Sequence, residues 1–372
     1  MTSDPSYYRW TQWIFGKLFE SWYDLGSGGA KPLQSLIDAF EKNGNYSIEA
    51  ACEEGWWKNL DVTLFPHFGK HFDGDFTATD WKSMSKQEKS AILMQFRLAY
   101  LADSEVNWCS ELGTVLANDE VKDGLSERGG HPVERKRMRQ WMMRITAYSD
   151  KLIEGLDDLN WSDSIKEAQK NWVGRSDGAT VSFKGGGNAS GCEVDVFTTR
   201  PDTLYGVSFV VLAPEHKLVT EFTSEEKLRE VNDYILAASK KSERERQGEK
   251  IISGVEIGGH VLHPFTGENI PVYISDYVLA GYGTGAIMAV PAGDERDWKF
   301  AKYFNIDIPS IFKGHDSAGA VNANENAILQ NSEELNGLSK LDAISTALNL
   351  LESKGCGERK INYRLRDAVF SR

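Results

Sequence analysis

Two stretches decide the fold of this sequence: Phe197-Thr-Thr-Arg-Pro-Asp-Thr203 and Gly281-Tyr-Gly-Thr-Gly-Ala-Ile-Met-Ala-Val-Pro-Ala-Gly-Asp-Glu-Arg-Asp297. Each runs from an apolar, β-prone segment into a turn that is rich in hydroxyls, glycines or carboxylates. A rigid sheet presents polar groups to a ligand at such strand-to-turn junctions. The first stretch offers hydroxyls without a strong nucleophile, and the second offers fixed carboxylates. Together they predict a pocket that grips a small ammonium-bearing group and positions water beside it.

The segments around these stretches predict a compact α/β domain over residues 174–355. Alternating β-branched residues indicate strands over 179–183 and 193–199, and further strands are predicted over 208–212, 255–262, 270–274 and 286–290. Helical spacing indicates helices over 224–240, 294–304 and 341–353. Strands mingled with short helices are typical of a mixed α/β fold.

The rest of the chain is predicted to be mainly helical and to flank that domain. Aromatic residues at helical spacing over residues 7–23 predict a core-facing helix. A short hairpin is predicted over 106–116. Further helices are predicted over 33–43, 47–60, 86–102, 133–156 and 162–172.

The composition indicates a globular, cytoplasmic protein. Of the 372 residues, 41% are hydrophobic and 26% are charged. No apolar run approaches the ~20 residues that span a bilayer, and the N-terminus lacks the features of a secretory signal. The net charge of −13 argues mildly against a nucleic-acid partner. Binding depends on where positive charge is clustered, however, and Arg135-Lys-Arg137-Met-Arg139 forms a local basic cluster.

The hydroxyls of the first stretch permit two interpretations. Neighbouring threonines on a strand point to opposite faces, so Thr198 and Thr199 share a site only where the strand ends. Pro201 ends it, because proline cannot donate to a ladder. Asp202 and Thr203 then suit the first turn of a helix, where such side chains cap free N–H groups. From these residues alone, an ordinary strand–cap–helix junction and a ligand site both stay open.

The second stretch combines glycines, an apolar wall and two carboxylates. Its glycines permit close approach of the backbone to a ligand, and Met288 and Val290 supply the wall. Asp294 and Asp297 are spaced i, i+3 at a helix start, on one face. Carboxylates there stabilise the helix N-terminus by ~0.3–1 kcal/mol, so capping accounts for at least one of them. The second aspartate, beside a glycine-rich turn, indicates a ligand.

The two stretches resemble the signature motifs of the editing domain of leucyl-tRNA synthetases, which are class I enzymes. Five flanking segments are similar to the same family in the same order: Tyr7-Tyr-Arg-Trp-Thr-Gln-Trp13, Val106-Asn-Trp-Cys109, Thr114-Val-Leu-Ala-Asn118, Asn171-Trp-Val-Gly-Arg-Ser176 and Ile361-Asn-Tyr-Arg-Leu-Arg-Asp367. Valyl and isoleucyl synthetases have similar editing domains, but Asp202 after Pro201 and the Met288-Ala-Val290 wall fit the leucyl version better.

The resemblance implies a division of the chain into six segments. They are a catalytic-domain segment at 1–30, a lineage-specific helical insertion at 31–101, a degenerate zinc-module-like hairpin region at 102–132, a helical return segment at 133–173, the strand-rich editing domain at 174–355 and the start of the return to a Rossmann-type catalytic domain at 356–372.

The family's two ATP-site signatures, HIGH and KMSKS, are expected to lie before residue 1 and after residue 372. Lys82-Ser-Met-Ser-Lys86 mimics the second signature in the wrong place. The resemblance therefore implies an internal fragment that cannot make leucyl-adenylate and needs no cofactor. Its full-length parent is expected to use ATP and Mg²⁺ and to be a monomer.

The resemblance implies hydrolysis of the ester that joins a wrong amino acid to the terminal ribose of tRNA(Leu). A second, hydrolytic sieve is needed because one methylene is worth only ~1–3 kcal/mol in a selective pocket. Asp297 is expected to bind the substrate ammonium, and Thr198 and Thr199 to hold the ribose and carbonyl and orient water. Thr203 is expected to exclude leucine. The other expected substrate-binding residues are Arg200, Tyr282, Met288, Val290 and Asp294.

Two positions depart from the family pattern. Gly293 stands where a histidine is common before the first aspartate. Cys109 begins a turn that carries zinc in several relatives, yet residues 110–128 contain no Cys or His and only His131 follows. Since structural zinc takes four ligands, no metal is expected. His260 and His263, on a predicted strand, are expected to be structural or surface histidines.

Two other functions stay open: a non-catalytic module that binds the tRNA acceptor end, and an inert truncated fragment. Retention of Thr199, Thr203 and Asp297 favours the hydrolase, because binding alone would not require all three. The expected partner is the acceptor end of tRNA(Leu) carrying a misattached amino acid, with no membrane involved.

Overall fold

The computed structural model describes residues 2–53, 55–61, 63, 65, 72–239, 241, 245–246, 251–280, 283–314 and 327–370. Its helices, in chain order, are α1 (Pro5–Phe19), α2 (Leu33–Asn43), α3 (Ala78–Ser83), α4 (Lys86–Met94), α5 (Ser149–Glu154), α6 (Asp163–Val173), α7 (Val219–Phe222), α8 (Leu228–Ser239), α9 (Glu295–Phe304) and α10 (Lys340–Lys354).

Its strands, in chain order, are β1 (Ser21–Asp24), β2 (Gly29–Pro32), β3 (Ala99–Cys109), β4 (Thr114–Leu116), β5 (Val121–Lys122), β6 (Leu125–Ser126), β7 (Glu134–Met143), β8 (Arg175–Gly185), β9 (Glu193–Thr198), β10 (Phe209–Leu212), β11 (Val255–Leu262), β12 (Asn269–Ile274), β13 (Ala286–Ala289), β14 (Gly357–Tyr363) and β15 (Ala368–Val369). The chain forms two compact units, Met1–Gly174 with Leu365–Arg372, and Arg175–Arg364.

The first unit combines a sheet with a cluster of aromatic side chains. A four-stranded antiparallel sheet has the order β15-β7-β3-β4. The apolar cluster packs around α2, α3 and α4, and its buried aromatic members are Trp22, Phe40, Trp56, Phe65, Phe76, Trp81 and Phe96. The predicted helices α2 and α6 and the predicted hairpin, here β3 and β4, are confirmed.

The helix predicted over residues 133–156 is wrong in its first half, which forms β7. This strand pairs with β3 over nearly its whole length and sets Arg137 opposite Glu105 and Arg139 opposite Asp103. Opposite charges directly across an antiparallel pair stabilise it. The prediction failed because the partner strand is distant in sequence, and helical spacing takes account of local neighbours only.

Two other predicted helices are shorter than expected. In the described part of residues 47–60, only Trp56–Asn59 forms a helical turn, which is of the 3₁₀ type. Gly55, with a φ of 67°, precedes that turn in the left-handed conformation, which an α-helix does not tolerate. The helix predicted over 86–102 ends at Met94, and Ala99 already belongs to β3.

Of the helix predicted over residues 7–23, α1 forms the part up to Phe19, and the residues from Ser21 onward belong to β1 instead. The prediction that this helix faces a core is wrong. None of its residues is buried, and Tyr7, Trp10 and Trp13 are each 57% exposed in this chain. Spacing therefore identified the helix without identifying what covers its apolar face. Within the described ranges, no helix, α1 included, has the length and apolar character needed to cross a membrane.

The second unit is built on a seven-stranded mixed sheet. Six of its strands follow the order β13-β10-β12-β11-β8-β14. The seventh strand, β9, lies outside this order and pairs with β8. β10 and β12 are parallel, and the remaining pairs are antiparallel. β9 and β13 are also in contact, so the sheet curves until these two strands approach each other. The predicted mixed α/β fold class and the six predicted strands are confirmed. β14 also belongs to this sheet, where it pairs with β8.

The sheet of the second unit separates two apolar clusters. Val210 of β10 and Met288 of β13 are paired and lie in the cluster that includes α10. Phe209 and Ala289, the next pair, lie in the cluster formed with Phe300 of α9. Because β10 is buried on both faces, it is apolar throughout, as is usual for a central strand. The ends of β9 and β13 are thus held by a rigid core.

The six predicted segment boundaries stay predictions.

Candidate functional site

The first turn of the site follows β9, which ends at Thr198, and continues as a 3₁₀ helix over Pro201–Gly206. The Oγ1 atom of Thr198 accepts a hydrogen bond of 3.0 Å from the backbone N–H of Arg200. A hydroxyl that accepts one hydrogen bond still has its own proton to donate. Thr199 is exposed. The turn therefore presents one threonine to solvent and uses the other to fix the backbone.

A buried ion pair anchors the same turn. Arg200 donates from Nε to Oδ1 of Asp202 at 2.9 Å and from Nη2 to Oδ2 at 2.8 Å. Asp202 is 1% exposed, whereas the side chain of Arg200 is 29% exposed. The Oγ1 atom of the buried Thr203 donates to the carbonyl of Arg200 at 2.8 Å. A two-point pair of this kind fixes geometry strongly.

The second turn leads from β13 into α9, and Asp294 caps that helix. Its side chain accepts hydrogen bonds from the N–H groups of Arg296 (2.8 Å) and Asp297 (3.1 Å). Asp294 is exposed. The sequence predicted that at least one of the two aspartates caps the helix, and Asp294 is that residue.

Asp297 is the buried carboxylate of the second turn. It is 6% exposed, and its Oδ2 accepts a hydrogen bond of 2.8 Å from the backbone N–H of Val290. Within the part of the chain that the structure describes, it forms no ion pair. Burial, reinforced by the negative charge of Asp294, raises the pKa of Asp297 to about 7. The Val290 hydrogen bond and the charge of Arg296 oppose this shift. A cation bound here would favour the ionised carboxylate.

The two turns meet at Val290. Its backbone N–H donates to Asp297. Its side chain lies against the 3₁₀ helix at Gly206: if Gly206 carried a Cβ, that atom would lie 3.1 Å from Cγ1 of Val290. At the other end of β13, a Cβ on Gly283 would lie 3.7 Å from the Cβ of Phe197. The two stretches, far apart in sequence, are therefore neighbours at both ends of β13.

The apolar residues of the second stretch form a packed wall. Met288 and Val290 are buried in the cluster that also contains Leu204 and Ile311. Gly293 faces Phe312: a Cβ there would lie 3.5 Å from the phenylalanine ring. The predicted site residue Tyr282 lies outside the described residues.

Two clefts of about 230 and 270 Å³ flank β4 in the first unit, and no predicted site residue lines either of them. Among the described residues, no group of three or more His, Cys, Asp or Glu side chains is gathered in a way that could hold a metal ion.

Two polar side chains lie beside the site without having been predicted to belong to it. His263 is buried and contacts the 3₁₀ helix. The hydroxyl of Tyr277 is buried and has no hydrogen-bond partner among the described residues. Burial, and next the charge of Asp297, raises the pKa of this phenol well above its ordinary value. A sequence signal existed for His263 alone, because His263-Pro-Phe-Thr-Gly267 has the Pro and Gly of an ordered turn directly after a strand.

Comparison with known proteins gives a consistent result. Residues 170–352 match the family model of the leucyl-tRNA synthetase editing domain. Leucine–tRNA ligases of Christiangramia forsetii and Flavobacterium johnsoniae are each 50% identical, and the alignments cover all of this chain but only 37% and 38% of those proteins. The crystal structure of a LeuRS-tRNA-LeuAMS ternary complex from Agrobacterium radiobacter is 33% identical with a TM-score of 0.58, covering 73% of this chain and 31% of that one.

The second unit has a curved mixed sheet and a buried carboxylate between two converging turns. The editing-domain model matches most of the length of this unit. The unit is therefore an aminoacyl-tRNA synthetase editing domain. The chain belongs to the leucyl-tRNA synthetase family. It spans less than two fifths of the length of the relatives named above.

Proposed function

We propose that this chain hydrolyses the ester bond between a misattached amino acid and the terminal ribose of tRNA(Leu). The observation that carries the proposal is Asp297, a carboxylate that is buried, held by a backbone N–H and without a cation partner among the described residues. The α-ammonium group of an aminoacyl ester is the cation that suits it. Family membership and the tRNA complex of the Agrobacterium relative support the same substrate.

In the proposed reaction, Asp297 pairs with the ammonium group and so fixes the ester carbon in space. Thr198 and Thr199 hold the ribose and the carbonyl and orient the attacking water. Water adds to the carbonyl carbon, the C–O bond to the ribose breaks, and the ribose oxygen leaves with a proton. An aminoacyl ester is already activated, so positioning can supply much of the acceleration without a covalent nucleophile. We propose that this step uses no cofactor.

Selection is proposed to depend on the wall of the pocket. Thr203 excludes the leucine side chain, while Met288 and Val290 line the space that a smaller or unbranched side chain enters. Tyr282 and Asp294 complete the proposed binding residues. The side chain of Arg200 is 29% exposed while it pairs with Asp202, and we propose that the N–H groups not used in this pair bind a phosphate of the tRNA end.

For the full-length parent we propose the activity of an ATP- and Mg²⁺-dependent leucine–tRNA ligase that acts as a monomer in the cytoplasm. In that setting, the unit over 175–364 removes amino acids that the synthetic site attaches in error.

Deacylation of preloaded tRNA tests the proposal. tRNA(Leu) charged with norvaline or isoleucine is incubated with the chain, and release of the amino acid is compared with the rate without protein. We expect release well above that rate, and loss of this release for Asp297→Asn but not for Glu193→Gln, a variant of an exposed carboxylate on β9. Binding of the charged tRNA without release would identify a non-catalytic module instead. Absence of both binding and release would identify an inert chain.

A further inference from the structure

His263 connects a turn of the second unit to the helix that carries Thr203. The residue follows β11 and is 4% exposed. Its Nδ1 lies 3.1 Å from the backbone nitrogens of both Phe265 and Thr266, and its Nε2 lies 2.9 Å from the carbonyl oxygen of Leu204. Both nitrogens of the ring are therefore used, one within its own turn and one across to a distant segment.

These partners define the tautomer of His263. A backbone N–H can only donate, so Nδ1 accepts from Phe265 and Thr266 and carries no proton. A carbonyl can only accept, so Nε2 carries the proton and donates it to Leu204. Burial lowers the pKa of His263, which keeps this neutral form at neutral pH. The ring of His263 thus accepts hydrogen bonds from its own turn and donates one to the 3₁₀ helix, and we call this link between the two segments the strut.

The far end of the strut is next to the residue proposed to exclude leucine. Leu204 directly follows Thr203 in the 3₁₀ helix, and its carbonyl accepts one further hydrogen bond, from the N–H of Val207. The ring of Tyr205 is tilted by 33° against that of His263 with a centroid separation of 6.0 Å, and its hydroxyl donates to Glu334 at 3.0 Å. At its other end the helix is held by the hydrogen bonds of Thr203 to Arg200.

We propose that His263 is a positioning residue for amino-acid selection. By holding the Leu204 carbonyl, it fixes how far Thr203 projects toward the side chain of the bound amino acid. This role rests on the proposed hydrolytic function, because it concerns the same pocket. His263 does not touch the reacting atoms, so its removal is expected to change which amino acid is released more than how fast the best substrate is released.

Two substitutions separate the two ends of the strut. In His263→Asn, the side-chain oxygen occupies the place of Nδ1 and can still accept from the turn, but nothing reaches Leu204. In His263→Gln, the amide nitrogen extends to the place of Nε2 and can still donate to Leu204, while the turn loses its acceptor. The asparagine variant therefore removes the strut and keeps the turn, and the glutamine variant does the reverse.

The test measures kcat/KM for norvalyl-tRNA(Leu) and leucyl-tRNA(Leu) with the unsubstituted chain, both His263 variants and Thr203→Ala. We expect the norvaline preference to fall about tenfold in His263→Asn, the effect of one lost hydrogen bond on selection. The preference should be retained in His263→Gln and lost in Thr203→Ala.

Equal preference in His263→Asn and the unsubstituted chain would overturn the positioning role, provided that Thr203→Ala alters the preference. Absence of hydrolysis by the unsubstituted chain would instead overturn the proposed function, and this role with it. A ¹⁵N NMR measurement of the His263 ring tests the hydrogen bond to Leu204 in the unsubstituted chain, so it does not depend on whether a variant folds. The proton is expected on Nε2, and a proton on Nδ1 would contradict the strut.

Discussion

The turn after β9 and the turn after β13 each contain a buried aspartate, but only the first of these aspartates is paired with a cationic side chain among the described residues. Asp202 is 1% exposed and is paired at two points with Arg200. Asp297 is 6% exposed and has one backbone N–H, while the nearby charge of Asp294 works against its ionisation. A carboxylate that the fold has already paired is structural. One that the fold leaves without a cation is the candidate for binding a ligand that brings one.

The largest expected effect comes from breaking the paired turn. Arg200→Ala leaves Asp202 buried without its partner, and removal of one member of such a pair costs about 3 kcal/mol of stability. Chemical denaturation of the unit measures this loss. Lys299→Ala removes an exposed pair with Glu295 on α9 and should change stability little. If the two variants were equally stable, the pairing of Asp202 would not be what holds the turn.

A substitution of Asp297, the carboxylate without a cation partner, should raise the stability of the unit instead of lowering it. Asp297→Asn keeps an acceptor for the Val290 N–H and removes a buried charge, because the pKa of the native carboxyl is raised to about 7. We expect a gain on the order of 2 kcal/mol at pH 8, at about 1.4 kcal/mol for each unit of pKa difference less the cost of burying an amide. Asp202→Asn, the matched variant in the other turn, should lose stability. A loss at Asp297 as well would end the contrast between the turns.

The stability difference at Asp297 should depend on pH. The folded pKa, about 7, lies above the ordinary 3.8 because burial disfavours the charged form. Between these values the unfolded chain has lost the proton that the folded chain keeps, so this group's contribution falls as the pH rises and is constant above about 7. The advantage of Asp297→Asn over the unsubstituted chain should therefore grow between pH 4 and 7 and then level off, as measured by denaturation at each pH. A pH-independent difference would contradict the raised pKa.

The smallest expected effect concerns Asp294. Asp294→Ala removes the cap of α9 and should cost about 1 kcal/mol. It should also lower the pKa of Asp297, because the charge of Asp294 contributes to raising it. Asp294→Asn retains a capping oxygen and removes the charge, so it should lower the pKa of Asp297 with little loss of stability. Carboxyl ¹³C NMR titration of Asp297 distinguishes these outcomes, and an unchanged pKa in both variants would show that the two carboxylates do not interact.

Sequence predicted the second unit better than the first, for a physical reason. The strands around Thr198 and Val290 are short and bounded by Gly or Pro, and their apolar residues alternate in β9 and are continuous in β13, so local pattern and final structure agree. In the first unit, β7 depends on a partner strand that lies far away in the sequence, and its basic residues suit a helix equally well without it. Tertiary pairing overrides local preference there.

The candidate site shows the same division between local and distant information. The capping by Asp294 and the end of β9 before Pro201 follow from neighbouring residues. The burial of Asp297, its hydrogen bond to Val290 and the contact of His263 with Leu204 depend on how the sheet curves, which spacing alone does not reveal. For this reason, the sequence indicated which residue types meet but not which of them lacks a partner.

The central claim, that Asp297 receives the substrate's ammonium group, is tested most directly by removing the charge from the substrate. Norvalyl-tRNA(Leu) and N-acetyl-norvalyl-tRNA(Leu) are compared as substrates of the unsubstituted chain and of Asp297→Asn. We predict that acetylation slows hydrolysis about a hundredfold in the unsubstituted chain, the cost of a lost charge-assisted contact, and has little effect on the residual hydrolysis by the variant. Equal hydrolysis of the two esters by the unsubstituted chain would contradict the account.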